Sequence, residues 1–85
     1  MKYRSRTDIV ALILEAANSG ITKTKIMYKA FLSYTQLKEY LATLEENGLL
    51  EYQEGEQIYK TTAKGIRFLK IYKQIEDIFP HGNER

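Results

Sequence analysis

The sequence contains no cysteine and a single histidine, His81. Without thiols the chain can build neither a disulfide framework nor a thiolate metal site. One imidazole near the chain end, with no cysteine to accompany it, leaves no set of groups for nucleophilic catalysis or zinc binding. A Gly-rich phosphate loop is also missing, because Lys64-Gly65 falls inside a helical pattern rather than after a strand. The acidic residues Glu45, Glu46, Glu51, Glu54 and Glu56 lack the spacing of a calcium loop and read as solvated surface. No apolar run approaches the ~20 residues that span a bilayer. Ile9 to Leu14 is apolar, but Glu15 ends that run at six residues. The chain shows no signal-peptide pattern, no internal repeat and no low-complexity tract. The expectation is a soluble cytoplasmic protein with no membrane partner, no enzymatic activity, no cofactor, no metal and no small-molecule substrate.

What is present is enough for one domain. A chain of 85 residues buries only about 60% of its unfolded surface, so its core is marginal and association with a second copy is the usual remedy. The net charge of +2 conceals strong segregation. Residues 1–40 carry seven Lys/Arg against three Asp/Glu, residues 41–59 none against five, and residues 60–85 six against three. Segregation of this kind can give a basic face that attracts phosphates, although ordinary solvated helix surface has the same composition.

The first helix is capped by Thr7 or Ser5, places Ile9, Leu12 and Ile13 on one face, and stops at Asn18-Ser19-Gly20. Thr22 caps a second, short helix to about Ala30, and Ser33 with Gln36 forms a capping box that opens a third helix to Asn47. Leu37, Leu41 and Leu44 form the inward stripe of that helix. After Asn47-Gly48, two strands (Leu49–Gln53 and Gln57–Lys60) flank Glu54-Gly55-Glu56, whose glycine is expected to make the hairpin turn. Thr61-Thr62 caps a last helix to about Phe79. The fold class is therefore mainly α with a small β-hairpin: a winged helix-turn-helix, ordered helix, helix, helix, strand, strand, helix, with a long C-terminal helix. Its expected divisions are a basic N-terminal segment (1–6), the winged helix-turn-helix domain (7–61), a dimerisation helix (62–79) and a tail (80–85).

The run from Thr24 through Ile26-Met27-Tyr28, Ala30, Leu32-Ser33-Tyr34, Gln36-Leu37 and Tyr40-Leu41 resembles the signature of small archaeal winged-helix DNA-binding proteins. That signature is approximately T-x-I-M-Y-x-A-x-L-S/T-Y-x-Q-L-x-x-Y-L. The resemblance continues at Asn47-Gly48-Leu49-Leu50, Tyr59, Thr61 or Thr62, Lys64-Gly65, Phe68-Leu69 and Tyr72. It implies DNA binding and dimerisation through the last helix. Some family members are chromatin-associated dimers with an antiparallel coiled coil, and others are transcriptional regulators.

In a helix-turn-helix the second helix of the motif enters the major groove by its N-terminal residues. The candidates there are Ser33, Tyr34, Thr35, Gln36 and Lys38, with Gln36 divided between base contact and the cap. Lys23, Thr24, Lys25 and Lys29 lie on the preceding helix, which crosses the phosphate backbone. Lysines at its start oppose the helix dipole and so favour an external anion. Lys2, Arg4 and Arg6 read equally as an arm to DNA or a solubilising start. The acidic wing tip departs from winged helices that insert a basic one. The last helix carries more apolar positions than one stripe needs, and Phe68, Ile71, Tyr72, Ile75, Ile78 and Phe79 form the candidate dimer interface. The function expected is double-stranded DNA binding by a nucleoid-associated homodimer, as a transcription regulator or chromatin-type protein. The alternative is a winged-helix protein-interaction module without DNA binding.

Overall fold

The computed structural model describes residues 5–78. The order is α1 (Arg6–Ala16), α2 (Lys23–Ala30), α3 (Tyr34–Glu46), β1 (Leu50–Gln53), β2 (Ile58–Thr61) and α4 (Ala63–Ile78). The helix starts follow the sequence signals. Ser5 caps α1 in a capping box with Asp8, so Ser5 rather than Thr7 supplies the cap. Arg6, assigned above to the basic N-terminal segment, is the first residue of α1, and its guanidinium lies 5.1 Å from the Tyr40 ring centroid. The Phe79 assignment and those of Lys2 and Arg4 lie outside the described residues.

Three helices share one core. Ile13 and Leu14 of α1, Ile26 of α2, and Leu37 and Leu44 of α3 are fully buried, and Leu50 and Leu69 bring the hairpin and α4 onto the same cluster. Burying side chains of this size is what makes a short chain cooperative.

The hairpin is antiparallel, with Leu50 opposite Thr61 and Tyr52 opposite Tyr59. Its turn differs from the expectation. The residue with positive φ is Gln57 (57°), and Gly55 is not among those with positive φ. Four residues separate the strands, and the Gln57 N–H donates back to the Gln53 carbonyl at 2.7 Å. A loop of that length is built around an ordinary turn, so the left-handed residue closes it and the glycine is not needed at the tip.

The hairpin also reaches the α1–α2 connection. Ile21 and Tyr59 exchange backbone hydrogen bonds of 3.1 and 2.8 Å, adding a one-residue rung beside β2. Gly20, with φ 93°, permits this approach, since a Cβ there would lie 2.8 Å from Cδ1 of Ile58. The Thr61 hydroxyl donates to the Leu14 carbonyl at 2.6 Å, satisfying an end carbonyl of α1 in the interior. β2 is thus anchored to α1 before the chain enters α4.

Candidate nucleic-acid interface

The turn between α2 and α3 is short and fully hydrogen-bonded. Phe31 closes α2 in the left-handed conformation (φ 55°), and the Leu32 N–H donates to the Met27 carbonyl at 3.0 Å. Leu32 is buried, which pins the turn to the core. Ser33 then opens α3: its hydroxyl accepts from the Gln36 N–H at 3.1 Å, and the Gln36 Oε1 accepts from the Ser33 N–H at 3.0 Å. The cap therefore occupies the Ser33 hydroxyl and the Gln36 carbonyl oxygen, leaving the Gln36 amide donors for another partner.

All nine residues proposed from the sequence for DNA contact are exposed: Lys23, Thr24, Lys25, Lys29, Ser33, Tyr34, Thr35, Gln36 and Lys38. The structure brings two helices together at Tyr34. Lys23 Nζ of α2 lies 5.6 Å from the Tyr34 ring centroid, and Lys38 Nζ of α3 lies 5.5 Å from it. Both distances are in the cation–π range. Glu39 is the sole carboxylate between residues 23 and 39, against four lysines. Among the described residues no ion pair neutralises Lys23, Lys25, Lys29 or Lys38; the pair present is Lys73–Glu15, at 3.8 Å on the surface. The first turn of α2 holds no acidic residue, so its positive dipole end is also uncompensated.

The wing presents the opposite charge. Glu54 and Glu56 are both exposed at the hairpin loop. The apolar residues of α4 divide. Phe68 and Tyr72 pack against the domain's own core, their rings stacked at 6.4 Å, and the Tyr72 hydroxyl donates to Asp8. Burial first, and then the hydrogen bond and charge of Asp8, push the Tyr72 phenol well above its ordinary range. Ile71, Ile75 and Ile78 instead point to solvent, 57%, 52% and 67% exposed. Next to them a groove is lined by Leu49, Phe68 and Ile71 with Lys64 and Arg67.

The match to known proteins is extensive. The profile of the winged helix-turn-helix family covers residues 3–79. This chain belongs to the winged helix-turn-helix family. It is also 34% identical over 77 residues to the uncharacterized protein MJ0290 of Methanocaldococcus jannaschii, across 89% of this chain and 34% of that protein. The chain thus spans about a third of the length of the curated relative it matches. The winged helix-turn-helix is a domain type suited to DNA binding or regulation. In this member α2 and α3 carry Lys23, Lys25, Lys29 and Lys38, α4 carries four further basic residues, and the wing tip is acidic. Among the described residues no helix is long and apolar enough to cross a membrane, and no His/Cys/Asp/Glu cluster could hold a metal.

Sequence reasoning did not single out Tyr28 and Phe31, both exposed beside this face. For Tyr28 a signal exists: burial of Ile26 and Ala30 turns position 28 outward on a helix. Phe31 sits in the turn, where helical periodicity carries no information.

Proposed function

We propose that this protein binds double-stranded DNA as a homodimer, in a regulatory or chromatin-type role. α3 lies in the major groove, α2 crosses the phosphate backbone, and α4 joins the two copies. The observation that carries the DNA reading is the convergence of Lys23 and Lys38 on Tyr34, in a stretch with no ion pair among the described residues. Two lysines drawn to one ring, neither in an ion pair among the described residues, leave positive charge for an external anion, and a helix N-terminus offers N–H groups to the same anion. Thr35 and the free amide of Gln36 stand where base edges would be reached.

The dimer reading rests on the exposed row Ile71, Ile75 and Ile78, spaced at i, i+4 and i+7 along one side of α4.

The test is binding to duplex DNA across a salt series. Each phosphate neutralised contributes about 0.9 to the slope of log affinity against log salt. Lys25→Glu with Lys38→Glu is expected to lower the slope by about 2 and weaken binding at least tenfold. Absence of binding at low salt, or affinity indifferent to salt, overturns the DNA reading and leaves the protein-interaction alternative. Equal affinity for random and selected duplexes removes the sequence-specific regulator.

A further inference from the structure

Tyr34 is the first residue of α3, directly after the Ser33 cap, and Lys23 is the first residue of α2, directly after the Thr22 cap. The Tyr34 ring is 54% exposed and lies outside the core cluster. Two ammonium groups stand over it: Lys23 Nζ at 5.6 Å and Lys38 Nζ at 5.5 Å from its centroid. Lys38 follows Tyr34 by one helical turn, and helical side chains lean towards the N-terminus, so that contact is built into α3. Lys23 arrives from the other helix. No carboxylate competes for either lysine within its own helix. Positions three and four away from Lys38 are Tyr34, Thr35, Leu41 and Ala42, and those following Lys23 are Ile26 and Met27. Among the described residues neither lysine makes an ion pair. The ring is thus the contact that holds both long side chains at one place.

We propose that Tyr34 is a positioning residue for DNA phosphates: its ring holds the Lys23 and Lys38 ammoniums together and ready for the backbone of a duplex. This rests on the reading of α2 and α3 as the duplex-binding face. It gives Tyr34 a task other than the direct contact that its place in α3 suggests, because it acts through the two lysines. The physical gain is in entropy. A free lysine loses most of its rotamer freedom when it docks on a phosphate, and a lysine already held against a ring loses less. The hold does not use up the cation. An ammonium carries three N–H donors, and one placed over a ring face keeps others for phosphate oxygens. The hold is also weak enough to yield, since exposed contacts of this type change an equilibrium by only about two- to fivefold.

The experiment is a mutant cycle in the full chain, read by titration with a mixed-sequence duplex of about 30 base pairs, long enough for two half-sites. Tyr34→Phe keeps the ring and Tyr34→Leu removes it. Each is made in wild type and together with Lys23→Gln and Lys38→Gln, at salt low enough for the remaining basic residues to retain binding. Tyr34→Leu is expected to weaken wild-type binding about fivefold to tenfold, and Tyr34→Phe by less than about twofold. With both lysines replaced, Tyr34→Leu is expected to change affinity by less than about twofold. The slope of log affinity against log salt should fall by about 2 when the lysines go, and by less than about 1 when the ring goes, since the charges remain. Exposed substitutions of this kind should leave Tm within about 4 °C of wild type. A loss of similar size with and without the lysines overturns the assignment whatever the Tm, because the ring then touches DNA itself or supports the fold. A Tyr34→Phe protein as weak as Tyr34→Leu overturns it in favour of the hydroxyl, and a Tyr34→Leu protein that binds like wild type overturns it outright. Failure of the wild type to bind the duplex at low salt removes the duplex reading itself, and the assignment with it.

Discussion

Replacing Gly65 by alanine tests whether α4 is seated where the geometry places it. A Cβ on Gly65 would lie 2.5 Å from the Leu49 carbonyl oxygen and 2.5 Å from the Thr61 methyl. Ordinary contact begins near 3.4 Å, so the first turn of α4 must move back by roughly 1 Å. It is not free to do so. The Thr62 hydroxyl donates to the Gly48 carbonyl at 2.7 Å and accepts from the Gly65 N–H at 3.1 Å. The Thr62 N–H donates to the Leu49 carbonyl at 3.1 Å, and Lys64 Nζ to the Asn47 carbonyl at 2.8 Å. Overpacking of this kind costs about 1–3 kcal/mol, and each hydrogen bond lost adds about 1 kcal/mol. Alanine returns about 1 kcal/mol through its helix propensity. The net expectation is destabilisation by about 2 kcal/mol, or a Tm about 8–16 °C lower for a domain of this size. The assay is thermal unfolding by circular dichroism at one fixed protomer concentration, because association alone shifts Tm. Gly55→Ala is the control: a Cβ there meets nothing within 4 Å, so Tm should hardly change. A Gly65→Ala variant at or above the wild-type Tm would mean that propensity outweighs the clash and that α4 is not held against Leu49.

Two further outcomes are expected. Ile71→Glu with Ile75→Glu should yield a monomer of 9.9 kDa by sedimentation while leaving the far-ultraviolet spectrum unchanged, because both positions face solvent within the protomer; a mass that stays doubled refutes the α4 dimer. Tyr72→Phe should change the alkaline limit of stability: the folded phenol titrates above its ordinary value of 10.0, so its contribution is complete below about pH 10 and is lost as the pH climbs past that point. The stability gap between wild type and Tyr72→Phe should therefore be flat below about pH 10 and narrow above it, and a gap constant to higher pH refutes the reasoning.

The helical part of the fold was legible because its signals are local. Ser33 and Gln36 sit at capping-box spacing, and the structure closes that box in both directions. Leu37, Leu41 and Leu44 repeat with the helical period, and all three are buried. The hairpin turn was misread at Gly55 because a glycine between two strands invites a tight turn, while the loop length that decides the matter depends on where pairing stops. The Ile21–Tyr59 rung and the Thr61–Leu14 bond join residues far apart in sequence, and no local pattern announces them. In the candidate site, exposure of the nine candidate residues followed from inward periodicity. The approach of Lys23 to Tyr34 did not, since it depends on the angle at which α2 meets α3.

The same long-range bonds give the hairpin a task suited to an acidic wing. β2 is tied to α1 through Thr61 and to the α1–α2 connection through Tyr59. The start of α4 is tied to the end of α3 through Asn47, Gly48 and Leu49. The helix proposed to read DNA and the helix proposed to pair the two copies are therefore coupled through backbone carbonyls, without a flexible linker between them. In a dimer joined at α4, the spacing of the two α3 helices follows from that coupling, and half-site spacing is a geometric property of the protein. A wing that sets this distance need not touch DNA, and carboxylates at its tip, repelled by phosphate, are consistent with a hairpin that faces away from the duplex.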